Sequence, residues 1–213
     1  MTNSSYQNFA SEIRAVLVMS IGVVALAGCN VTTQAQRKTA NIEIQEAVGF
    51  TITEEVRVTE TDRGNYYDAL NYLRDGNFEK GIAILEDVAE TAPGVTAPRI
   101  DLGIAYHRQG DLAAAEENLL QALELNANHP VALNELGIVY RKTGRFAEAK
   151  QRYEAAIAVY PGYHHARRYL AILCDLYLGD LKCALDQYEA YMTTVASDEE
   201  ASMWIADLKN RID

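Results

Sequence analysis

The stretch "LNELGIVYRKTGRFAEAKQRYEAAIAVYP", residues 133–161, decides the fold. Leu133, Leu136 and Tyr140 fall three and four residues apart, and the run stops at Gly144. Ala149 and Tyr153 open a second run that ends before Pro161. Apolar residues at this spacing share one face of a helix. Glycine supplies the positive φ of a helix C-terminus, and proline cannot continue the hydrogen-bond ladder. The stretch therefore reads as two helices joined by a tight turn.

Moving outward, the same pattern recurs in "YHRQGDLAAAEENLLQAL" from Tyr106 and in "YLRDGNFEKGIAILEDV" from Tyr72. Gly76, Gly110 and Gly144 are evenly spaced, and Tyr72, Tyr106 and Tyr140 keep the same interval. Leu102, Gly103, Tyr106, Ala115, Leu119 and Ala122 form the middle unit; Ala69, Tyr72, Gly81, Leu85 and Pro93 form a looser first one. This period and these residues resemble the tetratricopeptide repeat, with Leu133 standing where the family pattern has Trp. The resemblance implies an all-α fold: a right-handed α-solenoid of helix-turn-helix units with a C-terminal capping helix. It implies that Gly103 and Gly137 let paired helices approach and that Tyr106 and Tyr140 fill the space between. Helices are expected over 62–75, 78–91, 96–109, 112–125, 130–143 and 146–159, in units 62–95, 96–129 and 130–163.

A fourth unit, 164–196, is irregular. Leu170-Ala171 takes the Leu-Gly place and Cys174 the Tyr place, and Gly179 falls one position past the regular interval from Gly144. Ala184, Tyr188 and Tyr191 follow as second-helix positions. Residues 197–213 begin with Ser197 and Glu200 as an expected capping box. Ala201, Trp204, Ile205, Leu208 and Ile212 make one apolar face, suited to covering the last repeat, with Trp204 read as a packing residue.

The N-terminal region reads as an address. Residues 15–27, AVLVMSIGVVALA, carry no charge. Thirteen helical residues span about 20 Å, short of a bilayer core of ~30 Å. A signal-peptide apolar region fits that length; an uncleaved N-terminal helix is the other reading. Leu26-Ala27-Gly28-Cys29 resembles the bacterial lipobox. The resemblance implies a signal peptide over 1–28, acylation of Cys29, and, with Asn30 next, retention at the periplasmic face of the outer membrane. The inner membrane is the alternative destination. Residues 29–61 then form a linker. Its first part is polar, and Ile42, Ile44, Phe50, Ile52, Val56 and Val58 alternate as in strands, with Gly49 suited to a turn. Either an irregular arm packed on the helical region or a strand added to a partner's sheet fits this pattern.

The 213-residue chain is 49% hydrophobic and carries a net charge of −11. That charge opposes nucleic-acid binding, which needs a basic footprint. Cys174 and Cys183 flank the fourth turn; a disulfide, two reduced thiols and a redox site all remain open. The histidines are His107, His129, His164 and His165. Adjacent His164 and His165 are expected to point in different directions, so no metal is expected, and no cofactor. No G-x-S-x-G, phosphate loop or nucleophile-base signature is present, so the chain reads as a non-enzyme.

By resemblance, the concave face would be lined by first helices: Tyr66, Leu70, Ile104, His107, Arg108, Asn134, Ile138, Arg141, Lys142, Arg168 and Ile172. That mix suits a peptide with an apolar anchor and an acidic group; ordinary surface charge is the alternative. The pattern of the carboxylate-clamp subclass is absent. In layout the chain is similar to lipoproteins that assemble type IV pili and other envelope machines. The expectation is a lipid-anchored periplasmic adaptor holding a protein partner in an envelope assembly, with no nucleic acid involved. A regulator of peptidoglycan or outer-membrane biogenesis enzymes is the alternative.

Overall fold

A computed structural model describes residues 41–45, 49–54 and 56–212 of the chain. The expected signal peptide, Cys29 and Asn30 lie outside the described residues.

The described part begins with a hairpin. Strand β1 (Asn41–Gln45) pairs antiparallel with β2 (Gly49–Thr53), placing Ile42 opposite Ile52 and Ile44 opposite Phe50. The arm is therefore regular, and its two strands pair with each other. Nine α-helices follow among the described residues: α1 (Glu60–Arg74), α2 (Phe78–Thr91), α3 (Thr96–Gln109), α4 (Leu112–Leu125), α5 (Pro130–Lys142), α6 (Phe146–Val159), α7 (His164–Leu173), α8 (Leu181–Met192) and α9 (Glu199–Ile212). Helices α2, α3, α4 and α6 occupy the expected ranges; α1 starts two residues early because Thr59 caps it through the amide of Asp62 at 3.0 Å.

Consecutive helices pack as hairpins, and α3 also packs on α5, and α5 on α7, so the first helices share one face. The core of α3–α9 is continuous, from Leu119, Leu136 and Tyr153 through Leu170 and Tyr188 to Leu208; Leu85 and Leu102 centre a smaller cluster between α1 and α3. A Cβ added at Gly137 would lie 2.6 Å from Tyr153 Cε1, so this glycine lets the buried tyrosine ring enter between α5 and α6.

Three turns share one construction. Gly76, Gly110 and Gly144 have positive φ (82°, 87° and 79°). The following amides of Asn77, Asp111 and Arg145 donate five residues back, to the carbonyls of Tyr72, Tyr106 and Tyr140. In the fourth turn the Asp180 amide reaches six residues back, to Cys174, at 2.9 Å. The extra residue is absorbed by a π-turn, Cys174–Leu178, at the end of α7. One insertion thus explains both the lengthened glycine interval and the irregular unit.

Helix starts differ in how they are capped. Asn77, Asp111 and Asp180 accept backbone amides at α2, α4 and α8. The N-cap of α3 is Val95, whose side chain makes no capping hydrogen bond. Glu54, from the segment after β2, supplies the missing acceptor: it takes the Thr96 amide at 3.0 Å and the Thr96 hydroxyl at 2.5 Å. Helix α9 is capped by Asp198, which accepts from Ala201 N at 3.0 Å and from the Tyr191 hydroxyl at 2.7 Å. The expected Ser197–Glu200 box is thereby displaced by one residue, since a carboxylate held by Tyr191 is the better-placed acceptor. Ala201 and Leu208 are fully buried against the last repeat, whereas Ile212 stays exposed.

Candidate functional site

The shared face of α1, α3, α5 and α7 gathers several polar groups without full hydrogen-bond partners among the described residues. The constant repeat interval brings equivalent side chains side by side. His107 and Arg141 occupy one register and Arg108 and Lys142 the next. Burial and then the cations of Lys142, Arg108 and Arg141 hold His107 below the usual histidine range, so it is neutral near pH 7. Arg108 and Lys142 are exposed, and neither forms an ion pair among the described residues. Arg141 is half-buried. Its Nη1 donates to the Tyr177 hydroxyl at 3.4 Å, its guanidinium lies 6.0 Å from the Tyr169 ring centroid, and its Nε has no partner.

Two expected lining residues are not surface residues. Asn134 is 1% exposed and Ile138 is buried, because α3 and α7 close over α5 from both sides. Asn134 Nδ2 donates to Glu135 at 3.2 Å, and its Oδ1 has no partner, nor has His107 Nε2. Arg168 is drawn out of the face as well: its Nη2 pairs with Glu200 at 2.9 Å and its guanidinium lies 5.4 Å from the Trp204 ring. Leu70, Ile104 and Ile172 are half-buried along the face. Tyr66 donates its hydroxyl to Asp101 at 2.6 Å, which joins the first repeat to the second.

Sequence reasoning missed two carboxylates on this face. Asp101 and Glu135 are themselves one repeat apart, and aligning the repeat registers as Tyr67, Asp101, Glu135 and Tyr169 would have found them. Burial raises Asp101 to about 6 against the opposing pull of the Tyr66 hydrogen bond and Arg108. Burial likewise raises Glu135 to about 7, opposed by the Asn134 hydrogen bond and by Arg108 and assisted by Asp101. Below neutral pH these groups take up protons while the cations stay charged, so the face becomes more positive.

Elsewhere, Cys174 and Cys183 are disulfide-bonded with Cα atoms 5.9 Å apart, tying the π-turn to the first turn of α8. His164 and His165, the first two residues of α7, do not point apart: their ring centroids are 4.1 Å from each other. Burial lowers His165 to about 4. Among the described residues no group of three His, Cys, Asp or Glu side chains converges as a metal site, and no helix is long and apolar enough to cross a membrane.

The tetratricopeptide-repeat family profile matches residues 72–136 and 106–173, the helical hairpins just described. The chain is a tetratricopeptide-repeat protein. Its repeats place it among protein-interaction scaffolds. A relative is the probable UDP-N-acetylglucosamine–peptide N-acetylglucosaminyltransferase SPINDLY of Petunia hybrida, 34% identical over 110 residues. That match covers 50% of this chain and only 12% of SPINDLY. Among solved structures, pilF of Pseudomonas aeruginosa superposes with a TM-score of 0.65 at 21% identity, over 71% of this chain and 69% of that one. The first tetratricopeptide repeat domain of Spaghetti (RPAP3), bound to the HSP90 peptide SRMEEVD, gives 0.52 at 19% identity, over 55% of this chain and 94% of that one.

Proposed function

We propose that this repeat protein is a lipid-anchored periplasmic adaptor that holds an acidic segment of a partner protein on its first-helix face, within a cell-envelope assembly. The observation that carries the reading is the cluster of Arg108, Arg141 and Lys142, none with an ion-pair partner among the described residues, on a chain of net charge −11. Cations without an ion-pair partner suit charge-assisted recognition of carboxylates, and His107, next to Arg108 in the chain, has a ring Nε2 without a partner. The Spaghetti domain offers a parallel, since its bound HSP90 peptide carries three acidic side chains.

The address rests on different residues. Cys29 at the end of the lipobox would take the acyl chains, and more than one chain is required for stable anchoring. The Cys174–Cys183 bond supports the same address, since disulfides persist in oxidising compartments such as the periplasm. The chemistry is that of binding, with the chain as a non-catalytic scaffold.

Growth with labelled palmitate tests the anchor: label should enter the wild-type chain and vanish in Cys29→Ser. Crosslinked envelopes test the adaptor. An envelope protein should be captured by the wild-type chain and lost in Arg108→Glu/Lys142→Glu, whose two sites are exposed. Equal capture by both chains would remove the cationic face from the function.

A further inference from the structure

We propose that the fourth-repeat turn, Leu176-Tyr177-Leu178, is the docking surface for the apolar side chain of the partner's acidic segment. This rests on the adaptor reading for the partner being a protein, but it names a surface outside the expected groove lining.

The other three turns are polar. Arg74-Asp75, Arg108-Gln109 and Lys142-Thr143 precede their glycines. The fourth replaces them with Leu-Tyr-Leu and adds one residue. All three side chains are exposed, at 69%, 43% and 39%. Single exposed leucines are ordinary, but a contiguous apolar patch replacing a solvated turn marks an interaction surface.

The patch is also held in place. The disulfide closes its base, and the Asp180 amide binds the Cys174 carbonyl at 2.9 Å. The Tyr177 ring lies 4.8 Å from Phe146 and 5.8 Å from the Arg141 guanidinium. A surface fixed before binding loses little entropy when a ligand arrives.

Charge selects the occupant. The nearby carboxylates are already engaged: Asp175 pairs with Arg211 at 2.9 Å, and Asp180 caps α8 and faces Lys150 at 4.0 Å. Arg141, in contact with Tyr177 of the patch, and Lys142, the next residue in the chain, have no carboxylate partner among the described residues. An apolar side chain seated on Leu176 and Leu178, with Asp or Glu beside it, meets both features. A bilayer surface fits less well. Tyr177 lies against Phe146 and Arg141, and the net charge of −11 opposes an anionic surface.

The test is selection of displayed random peptides on the full, oxidised chain, followed by affinity measurement on two variants. Enriched peptides should pair a large apolar side chain with neighbouring Asp or Glu. They should bind Leu176→Ser/Leu178→Ser and Lys142→Glu at least about tenfold more weakly, with thermal unfolding of both variants unchanged. Enriched peptides lacking that pattern, or undiminished binding to Leu176→Ser/Leu178→Ser, would overturn the proposal. Weakening by Lys142→Glu alone would keep the adaptor reading and reject the turn as its anchor. No enrichment at all would count against both. Phosphatidylglycerol vesicles provide the last arm, using the Cys29→Ser chain. No co-sedimentation is expected; co-sedimentation abolished by Leu176→Ser/Leu178→Ser would reassign the turn to membrane contact and overturn the proposal.

Discussion

At Gly137 the absence of a side chain decides the packing of a whole hairpin. A methyl group there would sit 2.6 Å from a ring that is fully buried and has nowhere to move. Gly137→Ala should therefore cost about 1–3 kcal/mol in urea unfolding. Gly144→Ala meets no atoms but has φ of +79°, so its smaller cost, about 1 kcal/mol, should come from the backbone alone. Equal costs would separate the loss from Tyr153. Glu135 gives a pH-dependent residue. Its carboxyl is held near 7 in the folded chain, above the ordinary 4.5. Between those values the folded state binds more protons than the unfolded one, so its contribution weakens stability as pH rises, and the penalty is complete above 7. Glu135→Gln should stabilise the protein by about 2 kcal/mol at pH 8 and have little effect at pH 4. Thermal melts at both pH values check this; destabilisation at pH 8 would show that the carboxylate is stabilised where it lies.

Elements were largely legible because the repeat marks the end of each regular first helix twice, by a glycine and by the close of an apolar period, and the glycines do take positive φ there. The cations of the first-helix face were legible for the same reason, since a register repeated once per unit places Arg108 beside Lys142. What escaped was whatever depends on a neighbouring helix. Asn134 and Ile138 read as lining, yet α3 and α7 bury them. Nothing in the local sequence marks Asp101 and Glu135 as buried, yet burial raises both. The capping of α3 was invisible locally because its acceptor, Glu54, lies 42 residues upstream. Glu54→Ala should cost about 1 kcal/mol, as the loss of an N-cap does. It should also release the segment before α1 to limited proteolysis. Unchanged cleavage would mean that the Glu54–Thr96 contact does not hold that segment.

Across the molecule, α3 to α9 share one continuous core beside a smaller cluster between α1 and α3, and the last unit departs from the others in three linked ways: an inserted residue, a disulfide and an apolar turn. The bond closes a short loop, with nine residues of sequence separation, and the chain entropy it removes from the unfolded state is worth about 2–3 kcal/mol. Cys174→Ser/Cys183→Ser should lower the unfolding free energy by that order. A reducing agent should do the same to the wild type and nothing further to the variant. Stability that is insensitive to reduction would leave the bond without a structural role. The central claim is that the first-helix face receives the partner. Hydrogen exchange measured on the chain with and without the partner recovered by crosslinking tests it most directly. Slowed exchange should fall on the C-terminal turns of α3 and α5 and on the π-turn after α7. Slowing confined to α4 and α6, with those turns unchanged, would contradict it.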